Sequence, residues 1–160
     1  MVGARARRPR DNRPDVGATM GMQLKFRWLT DPYAIVRLAP DVSVPEWAAK
    51  GEFTSVTRSS DELSIVCPLE NLPRDVNTQH HWICLKLEGP FPFSQTGVLL
   101  SFIEPLSSNG IPIFAISTYD TDYVLIQEDF AGAAFSILQG AGHEFWPRDE
   151  SWRKFLPPEP

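Results

Sequence analysis

The sequence has few of the residues and motifs that mark an enzyme, a membrane protein or a disulfide-rich scaffold. It has only two cysteines, Cys67 and Cys84, and three histidines, none in a metal-binding spacing. No apolar run approaches the roughly 20 residues that span a bilayer. Glycine-rich phosphate loops, nucleophile elbows and paired zinc-binding histidines are also missing. We therefore predict no catalytic residues, no metal, no cofactor and no membrane insertion.

The cysteines and histidines give little indication of chemistry. Both cysteines lie in apolar runs, 65–67 and 82–85, which predicts buried, reduced thiols. His81 and Cys84 would be a weak base and nucleophile pair, because burial would raise the pKa of the thiol. The histidines, including His143, are predicted to be exposed to solvent.

Charge is unevenly distributed along the chain. Residues 1–21 contain five Arg and two Asp, whereas the whole chain has a formal net charge of -5. The remainder is therefore acidic, which argues against nucleic acid and membrane-surface partners, since both require a basic face. The basic segment has no apolar stripe, so a disordered extension or an upstream start codon is favoured over a mitochondrial targeting peptide. A cytoplasmic location is expected.

Hydrophobic alternation and turn residues divide the rest of the chain. Residues 22–67 are predicted to hold four strands and one short helix, followed by a linker at 68–81. Residues 82–146 have the order strand, helix, strand, strand, helix, strand of a ferredoxin-like βαββαβ unit. Residues 147–160 form a tail whose aromatic side chains either pack on the sheet or dock a partner. The prediction is an α+β fold with two tandem modules, antiparallel sheets and helices on one face, the first module being abbreviated.

Within the second module, the boundaries rest on capping residues and apolar runs. Ser94 is predicted to cap a helix that reaches Ser108, with Pro105 distorting its last turn. The continuous apolar run 111–118 is predicted to be a buried central strand. A faint internal repeat aligns residues 56–66 with 116–126, which suggests two sheets of similar construction.

One polar turn, Ser117–Asp122, lies between two apolar strands. The carboxylate of Asp122 could pair with a ligand ammonium or guanidinium group, while the hydroxyls of Thr118 and Thr121 and main-chain amides could bind a carboxylate. The alternative is an ordinary hairpin turn, since Asp, Thr and Tyr are common at such positions.

The second candidate is the helix start at Gln95–Val98. Gly97, expected in the first helical turn, would let a ligand approach, and the helix start offers unpaired N–H groups to a carboxylate. The alternative is that Gly97 only permits close packing of helix on sheet. The two candidates are expected to form one site only if they meet across a domain or subunit interface.

Five segments resemble the ACT domains of the CASTOR-like group, which includes arginine sensors of animal nutrient signalling and small microbial proteins. These segments are 26–38, 51–58, 84–93, 96–99 and 110–125, of which the Ser-Thr-Tyr-Asp-Thr-Asp run at 117–122 is the most specific. The resemblance covers about residues 22–143 and implies two ACT-like modules that bind an amino acid without catalysis.

The resemblance also implies a set of ligand-binding residues between modules. Carried over by position, these residues are Gly97, Val98, Thr118, Tyr119, Asp120, Thr121 and Asp122. Asp122 would face the cationic group of the ligand, and the extra acid at Asp120 leaves the identity of the amino acid open. A homodimer would restore the modules that the longer sensors carry in one chain. Two other functions stay open: an adaptor with a vestigial pocket that binds an unknown protein through the tail, and an enzyme that uses Asp120 and Asp122.

Overall fold

A single eight-stranded sheet runs through the computed structural model, which describes residues 21–146. Apart from Gly21, the predicted basic extension lies outside the described residues, as does the whole predicted tail at 147–160. Within the described part, no helix is long and apolar enough to cross a bilayer.

The elements follow the predicted order, with bounds that are shorter than predicted or shifted by one residue. The strands are β1 Lys25–Trp28, β2 Tyr33–Leu38, β3 Ser55–Arg58, β4 Leu63–Pro68, β5 Trp82–Leu87, β6 Ile113–Ser117, β7 Asp122–Gln127 and β8 Glu144–Phe145. The α-helices are α1 Val98–Ser108 and α2 Ala131–Gly140. The short helix predicted after Pro45 is a single 3-10 turn, Glu46–Ala49, which is too short to bury an apolar stripe.

The second unit has the predicted βαββαβ order, β5-α1-β6-β7-α2-β8, with antiparallel pairing of β5 with β7 and of β7 with β6. Both helices pack on the same face of the sheet, where a buried apolar cluster contains Phe26, Phe102 and Phe135. The predicted α+β, ferredoxin-like fold with an abbreviated first module is confirmed, since the first unit has three paired strands and no α-helix.

One strand differs from its predicted place. β1 was expected in the first module, but it pairs antiparallel with β5 and parallel with β8, between the two strands. The reason is packing: Phe26 of β1 is fully buried and makes ring contacts with Phe102, Phe135 and Phe145 under the helices. β1, the first strand within residues 21–146, therefore completes the sheet of the second unit.

The two units share a second apolar cluster on the sheet face opposite the helices. Phe53, which precedes β3, stacks on Tyr123 of β7 with ring centroids 3.8 Å apart. Cys84 and Leu125 are fully buried in the same cluster. Backbone pairing between β2 and β5 is limited to one pair of residues, Tyr33 and the first residue of β5.

The run at 111–118 was predicted to be a buried central strand, and this is wrong. β6 pairs with β7 and lies at the end of the sheet within residues 21–146. Its side chains are half-buried or exposed. The run is apolar throughout because Ile113 packs towards the helices while Phe114 and Ile116 pack on the opposite face.

Candidate ligand-binding site

The polar turn and the start of α1 line one open cavity of about 320 Å³. All seven residues predicted to bind a ligand, Gly97, Val98, Thr118, Tyr119, Asp120, Thr121 and Asp122, are among those that line it. The expectation that the two segments would meet only across an interface is therefore wrong. Because β5 and β7 are antiparallel, the start of β7 lies beside the end of β5, from which the chain leads into α1.

Internal hydrogen bonds hold the turn in shape. The backbone N–H and the hydroxyl of Thr118 both donate to the carbonyl of Thr121, each at 2.8 Å. The buried hydroxyl of Thr121 donates to the carbonyl of Leu87 at 2.7 Å, which ties the turn to β5. Both hydroxyl protons are thus used within the protein. The prediction that these hydroxyls donate to a ligand carboxylate does not fit this arrangement.

Carboxylates give the cavity a negative character. Asp122 accepts a hydrogen bond from the hydroxyl of Ser117 at 2.5 Å, across the pair that ends the β6–β7 ladder. The side chain of Asp120 is exposed, and its backbone carbonyl accepts the N–H of Phe91 at 2.9 Å. None of the described residues that line the cavity is basic. The arrangement therefore favours a cationic group on a ligand.

The helix start provides the opposite polarity. Ser94 does not cap α1. The residue before the helix is Gly97, at φ 80°, and no side chain among residues 21–146 caps this end. The first bond into the helix runs from the N–H of Ser101 to the carbonyl of Gly97, so the N–H groups of residues 98–100 have no acceptor within the helix. These groups can hold a carboxylate at the positive end of the helix dipole.

Gly97 is not explained by close packing of the helix on the sheet. A Cβ atom placed there would meet nothing within 4 Å, so close packing does not require glycine. The left-handed backbone conformation does, because other residues adopt it at a cost.

Sequence reasoning missed Gly89, which brings the turn close to the end of β5. A Cβ atom at this position would lie 2.7 Å from the backbone carbonyl oxygen of Asp120 and 3.2 Å from Cβ of Thr121. Only a residue without a side chain allows this approach. The Gly-Pro dipeptide at 89–90 marks a turn in the sequence, but it does not reveal which segment packs against it.

Exposed apolar side chains form the rim of the cavity. Phe93 and Tyr119 are 77% and 78% exposed and meet edge to face, with ring centroids 5.0 Å apart. Leu100, on the outer side of α1, is 61% exposed. Phe93 and Leu100 were not among the predicted site residues, because neither belongs to a polar motif. Large apolar side chains around an open cavity indicate a surface that a ligand or partner covers.

The cysteines and histidines lie away from this cavity. Cys67 and Cys84 are buried and form no disulfide, as predicted. Burial raises the pKa of the Cys67 thiol to about 11, and raises the pKa of the Cys84 thiol further. His81 is exposed as predicted, whereas His143 is buried with 4% exposure, so its predicted exposure is wrong. Within residues 21–146, no three His, Cys, Asp or Glu side chains are grouped to hold a metal ion.

Two family models match the chain. The model for the ACT domain matches residues 77–140, which include every candidate site residue. A model for the N-terminal domain of a second family matches residues 31–75, which contain β2 to β4. β1 lies in neither match, although it belongs to the same sheet.

Solved structures and a named relative are similar to a larger part of the chain than the ACT-domain model. The crystal structure of protein Atu0741 from Agobacterium tumefaciens is 43% identical, with a TM-score of 0.73, and the match covers 78% of this chain and 92% of that protein. The cytosolic arginine sensor for mTORC1 subunit 1 of Mus musculus is 29% identical over 79% of this chain. The chain contains an ACT domain at residues 77–140 and is similar to CASTOR-like ACT-domain proteins. The predicted resemblance is thereby confirmed.

This CASTOR-like protein spans less than half of the mouse sensor, since the match covers 45% of that protein. The Vibrio cholerae protein VC0802 shares the fold, with a TM-score of 0.62 at 16% identity over 75% of this chain and 91% of its own. ACT domains make up a regulatory, non-catalytic family.

Proposed function

We propose that this protein is a non-catalytic regulatory module that binds a free amino acid in the cavity between the turn and α1. The observation that carries the proposal is the pairing of opposite polarities within one cavity. Carboxylates lie on the turn, and N–H groups that have no acceptor within the helix lie at the helix start, which matches the two charges of an amino acid.

The polarity suggests an orientation for the ligand. Its carboxylate would accept from the N–H groups of Val98 and its neighbours beside Gly97, and its cationic group would face Asp122, with Asp120 close by. Thr118 and Thr121 hold the turn, and Tyr119 covers the apolar part of the ligand. The name of the mouse relative makes arginine the first amino acid to test, and a cytoplasmic location fits both that relative and the two free thiols.

A second copy of the chain would close the site. The cavity is open, its rim exposes Phe93, Leu100 and Tyr119, and β6 lies at the end of the sheet within the described residues. Burying such a rim in a symmetric dimer removes apolar surface from water and excludes water from the ligand. Sedimentation velocity should detect a dimer with the bound amino acid. A monomer with bound amino acid would contradict this part of the proposal.

The test of binding is a thermal-shift screen of the twenty amino acids at millimolar concentration. A ligand present at 100 times its Kd stabilises a protein by about 2.7 kcal/mol. For a chain of this length that free energy raises the Tm by about 5–11 °C. We expect a shift of this size for one amino acid or one chemical class.

The variant Asp122→Asn removes the charge but keeps an oxygen that can accept the hydrogen bond from Ser117. It should fold normally and lose the shift. Asp129→Asn is the matched control, because Asp129 is exposed in the 3-10 turn before α2 and does not line the cavity. If no amino acid stabilises the folded protein, the proposal is wrong.

The main alternative is an adaptor with a vestigial pocket. It would bind an unknown protein through the aromatic tail at 147–160, outside the described residues. Deletion of this tail would then abolish capture of the partner and leave the Tm unchanged. An enzyme that uses Asp120 and Asp122 is a weaker alternative, and turnover of any amino acid in a product assay would support it.

A further inference from the structure

A buried histidine, His143, contacts two other segments of the chain, α1 and the residues just before β1. The ring of His143, in the loop between α2 and β8, lies 5.2 Å from the ring of Phe102 in α1. Its Nδ1 accepts a hydrogen bond from the backbone N–H of Leu24 at 3.2 Å, and its Nε2 lies 3.0 Å from the carbonyl oxygen of Ser101.

These two contacts define the tautomer. A backbone N–H can only donate, so Nδ1 of His143 must carry no proton. A carbonyl oxygen can only accept, so Nε2 must carry one. The ring is therefore neutral and protonated at Nε2. A second proton would place an Nδ1–H against the N–H of Leu24, which are two donors facing each other.

Pro105 explains why Ser101 accepts a bond from outside its helix. In a regular helix, the carbonyl of Ser101 would accept the N–H of the residue four positions later, and proline has none. α1 nevertheless continues to Ser108, and the nitrogen of the histidine ring takes the place of the missing N–H.

Ser101 also donates hydrogen bonds to two residues that line the candidate site. Its N–H donates to the carbonyl of Gly97 at 2.9 Å, and its hydroxyl donates to the carbonyl of Val98 at 2.8 Å. One residue thus connects the histidine ring to the helix start that would hold the ligand carboxylate.

We propose that His143 is a positioning residue for the candidate site: its uncharged ring supplies the hydrogen bond that Pro105 withholds from Ser101, and so fixes the first turn of α1. The effect on a ligand rests on the proposed function. The effect on the helix start does not. A second proton leaves Nε2–H able to donate to Ser101 but sets Nδ1–H against the N–H of Leu24. We therefore expect acidification to displace the ring and, through the weakened bond to Ser101, to loosen this wall of the cavity.

The charges around the ring oppose each other. Lys25 of β1 and Glu144 of β8 line the same 420 Å³ cavity as His143. α1 carries only Glu104, which is exposed, and α2 carries no charged residue. Burial is the main influence and lowers the pKa of His143 below its usual value, and the hydrogen bond to the carbonyl of Ser101 opposes it only in part.

The sign of the pH effect follows. Because the unfolded chain binds a proton more readily than the folded one, the stability from His143 is complete above about pH 6.5. This stability decreases as the pH falls below this value. The decrease ends at the pH at which His143 is protonated in the folded protein as well.

Nitrogen NMR of the histidine rings in the full chain tests the tautomer directly. At pH 7.5 the His143 ring should be protonated at Nε2 alone, and the amide of Leu24 should be protected from exchange. On titration to pH 5 this protection should fall together with that of the Ser101 amide. A ring protonated at Nδ1, or a measured pKa of His143 at or above about 6.5, would overturn the proposal.

A double-mutant cycle separates the hydrogen bond from packing. His143→Ala should lower the Tm at pH 7.5 by roughly 5 °C or more. Pro105→Ala supplies a helix N–H for Ser101, so the same histidine substitution should cost clearly less in that background. His143→Gln, which has an amide donor but cannot titrate, should keep more stability than His143→Ala and remove the pH dependence. Equal losses in both backgrounds would mean that the ring only fills space.

Discussion

Glycine-to-alanine substitutions at three positions separate close approach from backbone conformation at the candidate site. At Gly89 an added Cβ would meet the carbonyl oxygen of Asp120 at 2.7 Å, with no φ in the left-handed region. At Gly97 the space is open but φ is +80°. At Gly140, the last residue of α2, neither obstacle is present.

The three substitutions are expected to change the free energy of unfolding by amounts that differ in sign as well as size. Gly89→Ala must displace backbone, and overpacking of this kind costs about 1–3 kcal/mol. Gly97→Ala requires an unfavourable left-handed conformation, at about 1–2 kcal/mol. Gly140→Ala should be neutral or stabilise the protein by up to about 1 kcal/mol, since alanine is the better helix former. Each kcal/mol corresponds to about 2–4 °C in Tm for a chain of this length.

The assay combines urea unfolding with NMR of the turn amides. Gly89→Ala should shift the amide signals of Phe91 and Thr121. The clash lies beside two hydrogen bonds, one from the N–H of Phe91 to the carbonyl of Asp120 and one from the hydroxyl of Thr121 to the carbonyl of Leu87. Gly97→Ala should leave those signals in place. A Gly89→Ala protein as stable as the wild type, with unshifted turn signals, would refute the claim that close backbone approach fixes the turn.

Three further predictions follow from burial and exposure. The thiols of Cys67 and Cys84 should react with Ellman's reagent only as the protein unfolds, since both are buried and burial raises their pKa values; fast reaction of the native protein would contradict this. Phe53→Ala should lower the free energy of unfolding by about 3 kcal/mol in urea titrations, because it removes a buried ring stacked on Tyr123. Phe93→Ser should leave the Tm of the free protein within a few degrees, because the ring is 77% exposed, but should reduce the shift produced by a bound amino acid.

Local pattern predicted the type and order of the elements but not their neighbours. The alternation in Lys25–Trp28 identifies a strand, yet its place between β5 and β8 depends on Phe26 packing with three aromatic rings far along the chain. Likewise, an unbroken apolar run in β6 shows that both faces of the strand meet apolar neighbours. It does not show how many strands flank it.

The sequence predicted which residues line the candidate cavity better than it predicted how they are arranged. The run at 117–122 and Gly97 could be found by resemblance, and antiparallel pairing of β5 with β7 then brings them together. The sequence does not show that the hydroxyls of Thr118 and Thr121 donate to backbone carbonyls, because these contacts form only when the turn folds. His143 was missed because no local pattern connects it to a carbonyl left unpaired by a proline 38 positions earlier.

Amide NMR during titration with the amino acid that the thermal screen selects would show whether this ligand lies between the turn and the start of α1. We expect saturable shifts concentrated at the amides of residues 98–100 and 118–122, absent in Asp122→Asn and present in Asp129→Asn. Saturable shifts confined to residues outside this cavity, or shifts that persist unchanged in Asp122→Asn, would contradict the proposed site.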